Sequence, residues 1–163
     1  MPSSIIKSGM DKLNQVDVRL RQATINYASK PGAKPFTITC GPRGKAAQLD
    51  ALKSGASKAG YGESPHNHET DTGSLALDIL PLGVNLKYDA SDWNLKDDFK
   101  AIARGIVAEG KALGYGLTWG ADWDRDNKTK DEGDKDERFV DLPHIELTAW
   151  RSEVKAGKTK LVK

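Results

Sequence analysis

The sequence predicts an α+β fold, a compact single domain with a small antiparallel sheet flanked by helices. Three observations carry that expectation. Leu13, Val16, Leu20, Ala23 and Tyr27, and again Phe99, Ile102, Ala103, Ile106, Val107 and Leu113, recur at spacings of three and four, the period of an amphipathic helix. Short apolar or alternating runs bounded by glycine and proline lie between and after them, as strands do. The chain has 163 residues, enough to bury about two-thirds of its unfolded surface in one core, and no internal repeat or linker marks a second.

The first helix is expected over residues 10–28, with Ser8 as its cap and Lys30-Pro31-Gly32 as its stop. Phe36 to Cys40 reads as a strand running into Gly41-Pro42-Arg43-Gly44, a turn that displays one arginine. Residues 46–57 are rich in small side chains and read as a helix closed at Gly55 or the glycines after it. Residues 59–74 read as a polar loop carrying two of the three histidines. Leu75 to Leu80 reads as a strand with Asp78 in an apolar setting, stopped by Pro81 and Gly83.

The second amphipathic helix spans 95–113 and ends at Gly114. A strand over residues 115–119 then leads into an acidic loop, 120–137. In the last strand pattern, up to Leu147, His144 and Glu146 share one face while Ile145 and Leu147 share the other. Pro143 lacks a backbone donor, so this strand should begin there or lie at a sheet edge.

Composition narrows the class. Apolar residues make up 37% and charged residues 29%, which suits a globular protein, and no apolar run approaches the ~20 residues of a membrane span. The N-terminus lacks the apolar core and cleavage site of a signal peptide, so the expected location is the cytoplasm. Cys40 is the single cysteine, which rules out an intrachain disulfide and a Cys-based zinc site, and its apolar neighbours make it read as buried and inert. Net charge is only +2 but unevenly spread: residues 122–137 hold eight acids, and the segment 151–163 holds five basic residues against Glu153. The domain is therefore expected over 1–150, with 151–163 a basic tail, solvated and frayed.

The chemistry concentrates around His66, His68 and His144. One histidine on a strand reads as a hydrogen-bonded core residue. Two histidines and one carboxylate from neighbouring strands can instead supply three zinc ligands and leave a position for water. Asp141, one turn before His144, can serve as a base or acid beside such a metal. A metal-dependent hydrolase is the leading class.

Ser64-Pro65-His66, then Gly73, Ala76 and Asp78, then Trp119-Gly120-Ala121-Asp122-Trp123, then Asp141-Leu142-Pro143-His144-Ile145-Glu146 resemble four ordered motifs of the zinc D-Ala-D-Ala and L-Ala-D-Glu peptidases. They are most similar to the L-alanyl-D-glutamate peptidases that act as endolysins of tailed phages. The likeness covers roughly residues 8–148 and implies zinc ligation by His66, Asp78 and His144, with His68 the alternative to His66. It implies Asp141 as general base and Arg43 as the group that holds substrate or oxyanion, a task suited to its donor fork. Ser64 and Trp119, with Trp123, become candidates for substrate contact, and Glu146 for orienting a ligand.

Two departures stand out. Gly73 lies seven positions beyond His66, longer than the family spacing, with one extra residue before Asp78, and Pro42 precedes Arg43 where it could re-aim the side chain.

The alternating carboxylates Asp122, Asp124 and Asp126, followed by Asp131 and Glu132, are candidates for calcium, which takes 6–8 oxygen ligands. They do not match an EF-hand, and a solvated loop is the competing reading. Some endolysins of the family carry a calcium-regulated loop at this place.

The resemblance implies bacterial peptidoglycan as the partner, no nucleic acid, no stable membrane insertion, and a monomer that waits in the host cytoplasm for a separate membrane pore. The rival readings are a D-Ala-D-Ala carboxypeptidase on the same fold and a non-catalytic wall-binding domain that uses the basic tail.

Overall fold

The computed structural model describes residue 5 and residues 7–82, 95–135 and 139–163. Its centre is a four-stranded antiparallel sheet in the order β1-β4-β6-β5, formed by β1 (Phe36–Cys40), β4 (Ala76–Pro81), β6 (His144–Leu147) and β5 (Leu117–Trp119). Helices α2 (Val18–Ala28) and α4 (Lys96–Ala112) pack against each other, and α4 packs on β4 and β5. The core between them is Leu20, Phe36, Ile38, Leu77, Ile79, Ile102, Ile106 and Ile145, each essentially inaccessible to water. The α+β expectation holds. Gly83, expected to help stop β4, lies outside the described residues.

The single helix expected over 10–28 is two. Helix α1 (Lys7–Leu13) stops at a turn, and Asp17 caps α2 by accepting the N–H of Arg19 at 3.0 Å. A short acceptor that satisfies a free helix donor favours an N-terminus over a helix interior. Leu13, Val16 and Leu20 stay fully buried through the break, so the apolar spacing survived while the helix did not. Ser8, expected as the cap, falls inside α1 rather than before it. Arg19 also bridges Asp17 to Glu153 of α5 (Trp150–Lys155), joining the two ends of the chain.

Residues 59–74 are more ordered than a polar loop. They hold a short 3-10 turn at Pro65–Asn67 and a hairpin of β2 (His68–Thr70) and β3 (Gly73–Ser74). The residues that lengthen the spacing between His66 and Asp78 are this hairpin. Gly73 has φ +142°, and a Cβ there would meet Gln15 O at 2.3 Å, so the close approach to the α1–α2 turn needs glycine.

The segment after 150 is not frayed. Helix α5 is followed by β7 (Lys160–Leu161), which pairs with β2 to complete a second sheet in the order β3-β2-β7. Val162 donates to Asn67 O at 2.8 Å, and Tyr61 donates to Val162 O at 2.6 Å. Backbone pairing to β2 outweighs the solvation of its lysines, which stay exposed.

Strand β6 begins at His144, just past Pro143, and lies inside the sheet between β4 and β5. Pro143 sits before the ladder, where its missing donor costs nothing, and its carbonyl accepts Ile79 N–H at 2.9 Å.

Candidate active site

Register sets the site. Strands β4 and β6 pair with Asp78 opposite His144 and Ala76 opposite Glu146, and β1 places Cys40 opposite Asp78 past an irregularity. Directly opposed residues project side by side on one sheet face. The 3-10 turn brings His66 to the same place. Ser64 caps it, with Oγ accepting His66 N–H at 3.3 Å and Asn67 completing a capping box. Pro65 at its start fixes the φ that the turn needs.

Three ligand atoms converge. His66 Nε2 lies 3.2 Å from Asp78 Oδ1 and 3.2 Å from His144 Nδ1, and His144 Nδ1 lies 3.3 Å from Asp78 Oδ1. The outer nitrogens are committed. His66 Nδ1 is 2.8 Å from Gly41 O, an acceptor, so it carries the proton. His144 Nε2 is 2.9 Å from Glu146 Oε2, and the other Glu146 oxygen accepts Trp150 Nε1 at 3.1 Å. Those bonds fix both tautomers and aim the remaining lone pairs inward, the support expected around imidazoles that hold a metal. Two imidazoles and a carboxylate, with no further neutral donor between them, fit a borderline-soft divalent cation such as zinc.

The electrostatics agree. Burial opposes charge on Asp78, but His66 and His144 hold its carboxyl well below the usual range. Burial likewise opposes charge on His66, but Asp78 and Cys40 outweigh it and push the imidazole up to about 10. Burial opposes charge on His144 as well, yet its bonds to Asp78 and Glu146 lift it to about 8. A metal cation at this site must therefore compete with protons for the same atoms.

Around the cluster is a cleft of about 730 Å³, lined among others by Arg43, Ser64, Asp141, Trp123 and Phe139. Burial first, then the Asp78 charge, raise the Asp141 carboxyl, while His144, His66 and Arg43 oppose the rise. A backbone link holds Asp141 in place: its N–H donates to Gly120 O at 2.7 Å, and Gly120 N–H donates to His144 O at 2.7 Å. A Cβ on Gly120 would meet Asp141 O at 2.3 Å, so only glycine permits this approach. Pro42 does not turn Arg43 away, since its Nη2 lies 3.5 Å from Asp78 Oδ2.

Other sequence-derived candidates stand elsewhere. His68 points its Nε2 to Gly62 O at 2.8 Å and packs its ring 5.9 Å from Trp150, so its ring nitrogen is occupied away from the cluster. Trp119, expected at the substrate groove, is a core residue 2% exposed, with its N–H donating to Leu142 O at 2.8 Å. It borders a different cavity, of about 620 Å³ between α4 and β5. Trp123 is the tryptophan that lines the cleft.

Cys40, read as inert, borders the cluster: its Sγ is 3.7 Å from His66 Nδ1 and 3.4 Å from Arg43 Nη2. Burial would raise its thiol, but His66 and Arg43 lower it. Ligand atoms of Cys40, His66 and Asp78 lie within 4.8 Å of one another. With Nδ1 of His66 given to Gly41, however, the sulfur flanks the donor set rather than completing it.

In the acidic loop, Asp122, Asp124 and Asp126 come within 4.8 Å of one another. Asp131 and Glu132 do not join them. Asp131 pairs with Lys100 at 2.6 Å and Lys96 at 3.1 Å, and Glu132 pairs with Arg104 at 2.6 Å. Basic residues on α4 have claimed these two carboxylates, which corrects the five-ligand expectation.

Two further residues, Gln48 and Asn67, carry no role that sequence reasoning assigned. Both are fully buried. Gln48 Oε1 accepts from Arg43 Nη1 at 3.3 Å and Asn67 Nδ2 at 3.0 Å, while its Nε2 donates to Ala59 O and Ser57 Oγ. Asn67 Nδ2 also donates to Arg43 O at 2.9 Å.

A small α+β domain with a buried, preoriented His–Asp–His donor set at the floor of an open cleft is built as a hydrolase. Residues 1–148 match the family described as phage L-alanyl-D-glutamate peptidase, and the chain belongs to that family. It is therefore a peptidase. The crystal structure of the Serratia marcescens L-Ala D-Glu endopeptidase ChiX is similar, with TM-score 0.58 and 19% identity over 93% of this chain and 92% of that one, a likeness of fold. No curated protein matches. Among the described residues no helix is long and apolar enough to cross a membrane.

Proposed function

We propose that the chain hydrolyses the L-alanyl–D-glutamate amide of peptidoglycan stem peptides with one zinc ion held by His66 Nε2, Asp78 Oδ1 and His144 Nδ1. The observation that carries this reading is the meeting of those three atoms at 3.2–3.3 Å while the outer imidazole nitrogens are already bonded. When bound, zinc supplies a Lewis acid that polarises the scissile carbonyl and makes attack by water feasible near neutral pH.

The chain's own residues do the rest. Asp141, its proton affinity raised by burial, takes the proton of the attacking water and returns it to the leaving amine. Arg43 turns its donor fork toward a substrate carboxylate or the oxyanion that develops. Glu146 keeps His144 in the ligating tautomer, and Ser64 holds the turn that carries His66. Asp122, Asp124 and Asp126 form a calcium-responsive loop beside the cleft. In the cell the enzyme acts as an endolysin, reaching the wall once a separate pore opens the membrane.

The decisive experiment pairs metal analysis with product analysis. Wild type and His68→Ala should carry one zinc per chain, and His66→Ala should carry none. Mass spectrometry of digested stem peptides should show cleavage between L-alanine and D-glutamate, stopped by chelator. Cleavage at D-Ala-D-Ala instead, or activity indifferent to chelator, sinks the proposal.

A further inference from the structure

Trp123 and Phe139 form an aromatic stretch of the cleft wall to which the hydrolytic chemistry assigns no role. Their ring centroids are 6.3 Å apart with planes 20° from parallel, and Trp123 lies 5.8 Å from the His144 ring. The indole N–H donates to Phe139 O at 2.7 Å, which fixes one ring against the other. Phe139 is 47% exposed, and Lys58 Nζ stands 5.3 Å from its ring centroid. A large apolar ring kept in water on the wall of a polar cleft marks a contact surface.

The bond to be cut limits what can rest there. In peptidoglycan the stem L-alanine is joined through its nitrogen to the lactyl carbonyl of a muramyl sugar. The scissile carbonyl is alanine's own, so the sugar begins about two backbone units away, roughly 7 Å at ~3.5 Å per unit. A substrate with its carbonyl at the His66–Asp78–His144 cluster thus places a pyranose within reach of the ring beside His144. The β-linked sugars of the glycan strand hold their bulky groups equatorially, leaving a face of axial C–H bonds. Those weakly positive hydrogens complement the negative face of an aromatic ring.

We infer that Trp123 and Phe139 form a subsite for the muramyl sugar, so that the enzyme selects stem peptides still attached to glycan. Lys58, whose Nζ stands over Phe139, moves aside as the sugar takes that ring face and donates to its hydroxyls. The inference builds on the proposed bond specificity.

The test compares two substrates. One is the disaccharide-linked stem peptide, and the other is the same peptide with N-acetyl-L-alanine in place of the sugar. Wild type should cleave the disaccharide peptide with roughly tenfold higher kcat/KM. Phe139→Ala and Trp123→Leu should erase that preference, losing about tenfold more on the disaccharide peptide than on the acetyl peptide, with zinc content intact. Phe139→Tyr should keep it. An equal loss on both substrates, or a wild type that does not distinguish them, overturns the subsite. Failure of wild type to cleave either one would instead overturn the bond assignment itself.

Discussion

Among the described residues, metal-capable side chains gather in two places, and the two are built in opposite ways. At the floor of the cleft, His66, Asp78 and His144 are anchored on a strand pair and a capped turn, and their outer nitrogens are tied to Gly41 O and Glu146. In the acidic loop, the Asp122 carboxylate accepts the backbone N–H groups of Asp126 and Asn127, and Asp126 Oδ1 accepts that of Lys128. Arg125 and Asn127 hold positive φ of 63° and 67°, a backbone that costs energy for residues other than glycine. The first site spends its hydrogen bonds on aiming ligands at one point. The second spends them on the loop's own turns, and a cation must compete for the same oxygens. The one is preorganised, the other has to be formed.

The sharpest way to break this contrast is to remove one ligand from each site. His144→Ala or Asp78→Ala should abolish zinc binding and lower activity by about 10³-fold or more, the several kcal/mol that a catalytic metal supplies. Asp124→Ala should leave zinc content unchanged and cost far less. Equal losses in the two variants, measured as zinc per chain and kcat/KM, would show that the sites are not independent.

Next comes the support around the ligands. Glu146→Gln keeps the shape and an acceptor oxygen but removes the charge facing His144 Nε2. Zinc affinity should fall by about 10–100-fold, read by competition with a coloured chelator. An unchanged affinity would mean that the tautomer of His144 is set elsewhere.

Proton competition follows from the raised imidazoles. With His144 lifted to about 8 and His66 to about 10, zinc must displace protons as it binds. Apparent zinc affinity should therefore rise about tenfold per pH unit for each proton displaced between pH 6 and 8. The metal-free protein should show the opposite trend in stability. A folded pKa above the unfolded 6.5 contributes stability that is complete below pH 6.5 and lost as pH rises through about 8 and then about 10. Asp78, held low, contributes above the usual carboxylate range and loses that contribution only in acid. Thermal melts of chelated protein should thus weaken from pH 6.5 to 10, and a flat profile would contradict the coupling of the cluster.

The same contrast explains what could be read from sequence. His144 and Glu146 lie on a period-two strand pattern, so their shared face was legible from alternation. Asp78 was legible only as a carboxylate in an apolar run, and the β4–β6 register is what sets it opposite His144. Arg43 was legible as the residue a turn must display. His66 against His68 was not, because both stand in one polar segment, and only the capped 3-10 turn decides which ring faces Asp78. Trp119 and Trp123 were equally ambiguous four residues apart, until β5 buried one and the following turn exposed the other to the cleft. The break at Asp17 was hidden because the apolar spacing continues across it. The β7–β2 pairing was hidden because lysine-rich ends usually fray.

Gln48 lay beyond sequence reasoning altogether, since its partners come from 43, 57, 59 and 67. It sharpens the contrast further, because it is buried while the rest of α3 (Lys45–Ser54) is partly or wholly exposed. Gln48→Met should leave zinc content intact, raise KM through a less well-held Arg43, and cost about 1–3 kcal/mol of stability for the unpaired amides left behind. If zinc is lost with it, the amide pair serves the metal-binding turn rather than Arg43.

The smallest effect belongs to the acidic loop. Burial first, then Asp124 and Asp126 nearby, raise the Asp122 carboxyl, while the N–H groups of Asn127 and Asp126 oppose the rise. Calcium would offset the nearby charges, but it must pull Asp122 from the N–H groups of Asp126 and Asn127, so the net gain is the difference of two similar terms. Affinity should accordingly be weak, in the ~10⁻⁴–10⁻³ M range of loosely built sites. Millimolar calcium should raise the melting temperature by only a few degrees and slow tryptic cutting after Arg125 and Lys128, and Asp124→Asn should remove both effects. Magnesium, which demands a tighter octahedron, should do neither. Protection that persists in Asp124→Asn, or that magnesium gives equally, would reduce the loop to a solvated acidic turn and leave the cleft floor as the one candidate metal site among the described residues.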